Sequence, residues 1–253
     1  MHINNSVEAI MVIKKHNFDW STLTTASIYE HFYQLGPKLI DQELKSKAVY
    51  NLFKKQALKL VPVVVTRTNS MNVDHGYVYM GGCYSAEYDE QGQPAIELAI
   101  HFHPFDEYIC YTKTKFRRSC MLIADILLHE IIHMRQHRRR NFNRRPDYKS
   151  SSRSEKQKQE QSYLGNSDEI DAYSFNIACE LYRKFKQDST GIHNYLNSSN
   201  KNSKCSSTWK WYMRTFDYDH NHPVIKKLKT KVIKYLPDAA LGKPYKNSDY
   251  IWY

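Results

Sequence analysis

Ile126-Leu127-Leu128-His129-Glu130-Ile131-Ile132-His133-Met134 sets two histidines four residues apart, with a glutamate directly after the first, inside an apolar run. On a helix, residues four apart share a face, so His129 and His133 can aim their imidazoles at one point while Glu130 lies beside them. Two neutral imidazoles can hold Zn2+, a third protein ligand completes the set, and the glutamate can serve as general base towards an activated water. Residues 120–136 contain no Gly or Pro, and Ile123, Ile126, Leu127, Ile131 and Met134 recur at helical spacing, which predicts a largely buried helix. Such a helix does not carry two histidines and an acid without cause. An unpaired charge there costs several kcal/mol or is neutralised by a pKa shift. The plainer alternative is a core helix whose histidines are satisfied by hydrogen bonds.

Upstream of this helix the pattern is that of strands. Val61-Pro62-Val63-Val64-Val65-Thr66 is a β-branched run with its proline near the start, where a missing N–H is tolerated. Residues 76–84 form a second candidate. In a third, Ile96, Leu98, Ile100 and Phe102 alternate with Glu97, Ala99, His101 and His103, and no strand is expected after it. Residues 95–102 are the expected edge strand, bordering a cleft and pairing with extended substrate backbone. Residues 21–60 read as scaffold helices. Ser21 is the expected cap, Gly36-Pro37 a break, and Leu39, Ile40, Leu44, Ala48, Val49, Leu52 and Phe53 one apolar stripe.

Downstream, residues 135–153 carry seven arginines, followed by Ser, Lys and Gln, which predicts an exposed basic loop over 138–162. Arg138, Arg139 and Arg140 could contact phosphates, although the sparse aromatics offer no stacking platform. Beyond it, Asn166 or Ser167 can cap a helix reaching about Lys186, with Asp168 and Glu169 in its first turn, where the macrodipole favours acids. Glu169 is the favoured third zinc ligand, with Asp168 and Asp171 as alternatives.

HExxH followed by Glu169-Ile170-Asp171-Ala172 resembles the gluzincin branch of zinc metallopeptidases, over roughly residues 95–182. The resemblance implies an α+β zincin-like fold, mostly helical with a small sheet before the HExxH helix. It also implies one Zn2+ per chain held by two His and a downstream Glu. Many members place Asp four residues after the ligand Glu to support a zinc histidine; here that position is Tyr173. Asp125 and Asp171 are the substitutes. Near the C-terminal end, Pro223 marks a helix start, and Tyr218, His220 or His222 could donate to an oxyanion or simply cap that helix.

Composition bounds these readings. The 253 residues, 41% hydrophobic, suffice for a proper core, and the whole of 1–253 reads as one domain. Five scattered cysteines without CxxC spacing argue against a disulfide framework, and a cytoplasmic setting is expected. Neither a signal peptide nor a membrane-length apolar run is evident. The formal charge of +11 favours an acidic partner only weakly, since lysines spread along helices usually form a solvated face. The expected function is hydrolysis of peptide bonds in a peptide or protein substrate by a zinc endopeptidase. The second reading is a nucleic-acid-associated protein using residues 135–153, with the zinc site structural or directed at DNA-bound proteins.

Overall fold

The computed structural model describes residues 23–152, 154–186, 188–198 and 205–241. It is a mixed α+β protein, and the chain divides into two compact units, Met1–Phe142 and Asn143–Tyr253. None of the described helices is long and apolar enough to cross a membrane.

The described part of the first unit begins with α1 (Thr25–Tyr33), α2 (Gly36–Leu39) and α3 (Ser46–Leu60). A capping box starts α1: Ser27 N–H donates to Thr24 Oγ1 at 3.1 Å, and Thr24 N–H donates to Ser27 Oγ at 2.9 Å. The expected cap, Ser21, lies outside the described residues. The apolar stripe from Leu39 to Phe53 is not one helix. Asp41 takes a left-handed φ of 57°, and its N–H donates to the Tyr111 carbonyl at 2.8 Å. Next, β1 (Glu43–Lys45) pairs antiparallel with β5 (Tyr108–Cys110), Leu44 opposite Ile109. A strand after residue 102 therefore exists, and its pairing overrides the local helical period.

The main sheet contains β2 (Val63–Asn69), β3 (Val78–Tyr84) and β4 (Ile96–Phe102) in the order β2-β4-β3. β4 runs parallel to β2 and antiparallel to β3. Its alternation is as expected, with Ile96, Leu98, Ile100 and Phe102 all buried. Its position is not. The stretch expected at the edge is hydrogen-bonded on both sides, and β3 is the edge strand packed against the long helix α5 (Lys113–Arg139). The most apolar strand takes the centre because that is where both neighbours cover it.

Thr112 caps α5, which buries Phe116, Ile123, Leu127 and Ile131 against the unit's core. At its other end Arg138 forks onto the buried Asp89 of α4 (Ala86–Glu90), Nη2 to Oδ1 at 2.6 Å and Nε to Oδ2 at 2.9 Å. Tyr84, the last residue of β3, donates its hydroxyl to the same carboxylate at 2.8 Å. The last turn of α5 is thereby fastened to α4 and to the end of the edge strand.

The described residues of the second unit form helices: α6 (Glu155–Leu164), α7 (Ser167–Phe185), α8 (Ser189–Asn197), α9 (Ser207–Thr215) and α10 (Pro223–Leu241). The loop expected over 138–162 is therefore shorter. Arg138 and Arg139 belong to α5, and residues 155–162 form most of α6, which Ser154 caps by accepting from Gln157 N–H. α7 begins where expected, with Asn166 accepting from Asp168 N–H at 2.9 Å, and Pro223 opens α10 as expected. The two longest helices of this unit, α7 and α10, are joined by a salt bridge from Lys231 to Asp171, and Tyr235 donates to the same carboxylate at 2.8 Å. Ile177, Leu181, Trp209, Tyr212, Phe216 and Leu228 fill the core between the helices.

Because Asp89 is buried, removing its guanidinium strands a charge. Replacing Arg138 with Ser should cost about 2 to 3 kcal/mol, below the roughly 3 to 5 kcal/mol of a fully buried broken pair because Arg138 is itself half exposed. The neighbouring Arg139→Ser should shift stability by less than about 0.5 kcal/mol. Urea denaturation of the two variants compares them directly.

Candidate metal centre

The motif residues lie midway along α5, where the apolar face of the helix meets the core. His129, Glu130 and His133 are 6%, 7% and 8% exposed. One helical turn places the two imidazoles with their planes at 79°, and their Nε2 atoms converge to 3.1 Å. A tetrahedral zinc with bonds of about 2.0 to 2.1 Å to nitrogen has an edge of about 3.3 Å, so this donor pair fits such an ion with almost no movement.

Gln136 resolves the tautomer of His133. Its Oε1 lies 3.0 Å from His133 Nδ1, and since an amide oxygen only accepts, Nδ1 carries the proton and Nε2 keeps the lone pair. A neighbour that holds the distal nitrogen protonated is the arrangement that orients a metal-binding histidine. The sequence reading missed Gln136, although it stands three residues after His133, on the same helical face.

A second missed residue is Gly82. A Cβ at this position of β3 would lie 2.4 Å from Ile126 Cγ2 and 3.3 Å from both Cγ and Oε1 of Glu130. Only glycine lets the edge strand approach α5 this closely, and the result is strand backbone laid beside the carboxylate of Glu130. The next residue, Cys83, registers the same proximity. Burial pushes its thiol pKa up, and the carboxylates of Glu97 and Glu130 push it further.

In the second unit, Glu169 occupies the first turn of α7, beside tyrosine hydroxyls. Tyr163 hydrogen-bonds Glu169, and its hydroxyl lies 3.1 Å from that of Tyr173. Desolvation, then the Glu169 charge, hold the Tyr163 phenol far above its ordinary range, so it remains a neutral hydrogen-bond donor. Burial and Glu169 act on Tyr212 in the same direction. The other acids of this turn have partners within the unit: Arg145 approaches Asp168 at 3.7 Å, and Lys231 with Tyr235 engages Asp171. Asp125 lies half-buried on α5, one turn before His129.

Of the C-terminal candidates, His222 makes a structural contact. His222 precedes the first residue of α10, accepts the Val224 N–H at Nδ1 over 3.2 Å, and lies on the Phe216 ring with centroids 4.6 Å apart. This is the capping role. Tyr218 adopts a left-handed φ of 58° in the turn after α9, and His220 hydrogen-bonds the Ser198 backbone.

Two outcomes are expected here. Gln136→Leu should weaken zinc affinity by about 10- to 100-fold without unfolding the chain, measured by competition with a chromophoric chelator. Burial lowers the His222 pKa, with Asp219 and Asp217 partly opposing it. Between that lowered value and about 6.5 the unfolded chain binds more protons, so stability declines as pH falls through about 6.5. His222→Asn retains a capping acceptor and should lose less thermal stability than the wild type between about pH 7.5 and about pH 5.5.

No family model matches the chain, and no curated protein or solved structure matches it either, so the chemistry of the site carries the functional reading.

Proposed function

We propose that the chain is a zinc-dependent endopeptidase with a zincin-like fold. The observation that carries this reading is the pair of buried Nε2 atoms 3.1 Å apart, one residue from a buried glutamate. His129 and His133 would hold the ion. Glu169 is proposed as third ligand on its place in the motif, HExxH followed by Glu-x-x-Ala. When bound, zinc supplies Lewis-acid polarisation of water and of the scissile carbonyl.

The protein's own groups divide the remaining tasks. Glu130 takes a proton from the attacking water and hands it to the departing amine, so one carboxylate serves first as base and then as acid. Among the described residues no strand pairs with the outer edge of β3 beside Glu130, and an extended peptide adding as a further strand would present its carbonyl there. Peptide and protein substrates fit this geometry because main-chain pairing requires no particular side chain. A reducing, cytoplasmic setting belongs to this reading, on the five scattered cysteines without CxxC spacing.

Two substitutions separate base from ligand. Glu130→Gln should retain zinc and lose at least about 10²- to 10⁴-fold in peptide hydrolysis, whereas Glu169→Gln should weaken zinc binding and lower the melting temperature. A casein or peptide-library digest, a zinc assay and a melting curve provide the readouts. Failure of zinc-loaded wild type to cleave any member of a broad library, or full activity in Glu130→Gln, would contradict the proposal.

A further inference from the structure

A second group of imidazoles and a carboxylate lies at the end of the main sheet where β2 and β4 finish and β3 begins. His75 belongs to the β2–β3 connection, and His103 and Asp106 follow β4. His75 Nδ1 is 2.9 Å from Asp106 Oδ1, and the Gly76 N–H donates to Asp106 Oδ2 at 2.7 Å. The His75 and His103 rings lie with centroids only 3.6 Å apart and their planes tilted by 44°. One nitrogen from each histidine and one Asp106 oxygen all lie within 4.8 Å of one another.

An ordinary surface ion pair accounts for only part of this arrangement. His75 with Asp106 alone would contribute about 0 to 1 kcal/mol, since the His75 side chain is 68% exposed. It would not explain the second imidazole. His103 is 6% exposed, and Phe105 N–H donates to its Nδ1 at 3.3 Å, the long end of the hydrogen-bond range. Among the described residues, Nε2 of neither ring has a hydrogen-bond partner. Two nitrogens and a carboxylate oxygen are a donor set suited to zinc and neighbouring first-row divalent ions.

We propose that His75, His103 and Asp106 form a second divalent metal site, of zinc type, that clasps the β2–β3 connection to the loop after β4. Contraction of the three donors to a tetrahedral edge requires movements of roughly 1 to 2 Å, within reach of side-chain rotation. The clasp fixes the chain immediately before β3 and so anchors the start of the edge strand. It is independent of the HExxH site, and the two can be loaded and lost separately.

Zinc titration of the full chain against a chromophoric chelator tests this. In a His129→Ala/His133→Ala background, one equivalent of zinc should still bind and should raise the melting temperature. Adding His75→Asn and Asp106→Asn should weaken that binding by about tenfold or more. Because His75 is exposed, His75→Asn in the otherwise wild-type chain is a second reading that does not risk the core, and bound zinc should drop by one equivalent per chain. Absence of zinc binding in a folded His129→Ala/His133→Ala chain, or unchanged stoichiometry and affinity on His75→Asn, would overturn the second site.

Discussion

Burying polar groups inside an apolar helix is the constraint on which the first unit turns. An imidazole nitrogen or a carboxylate withdrawn from water costs several kcal/mol unless something engages it, and α5 buries three such groups within five residues. The two imidazole Nε2 atoms converge on one point, which makes the cost intelligible. On the proposed reading a single cation would satisfy both Nε2 lone pairs and offset the anion beside them. The surrounding choices follow from holding that geometry still: Gln136 sets a tautomer, Gly82 lets β3 come close, and the length of α5 keeps the motif away from fraying ends.

The far end of the same helix shows how the basic composition is used. Arg138 is spent on Asp89, so the arginine cluster that suggests a phosphate contact partly serves to anchor α5. Tyr84 joins the same carboxylate, and its hydroxyl pKa is driven well above normal by desolvation and by the Asp89 charge. An edge strand fixed at this end to the last turn of α5 cannot slide along the helix. That register matters if its outer edge is to receive a substrate backbone beside Glu130.

Much of this was legible in the sequence where one periodicity prevailed. The α5 motif, the alternation of β4 and the start of α10 at Pro223 all come from short-range patterns with a single good solution. Sheet order was not legible, because alternation reveals which face of a strand is buried and not which strands lie beside it. β1 was hidden inside an apolar stripe that suits a helix equally well, and only its distant partner β5 decides the matter. α6 lacks an apolar stripe. Ser154 starts it, and Gln161 Nε2, donating to the Thr215 carbonyl at 2.9 Å, ties it to the end of α9, contacts that no hydrophobic pattern announces. The pairing of His75 with Asp106 across two loops was likewise beyond reach, since the residues are neighbours only after the sheet has formed.

The claim on which the functional reading depends is that His129 and His133 share a zinc ion and not a proton. Anomalous scattering at the zinc absorption edge, from crystals of the full chain purified without chelator, addresses it directly. A peak about 2 Å from Nε2 of both histidines is the result expected. Zinc-supplemented crystals with no peak there, and the two nitrogens still within hydrogen-bonding distance, would contradict it.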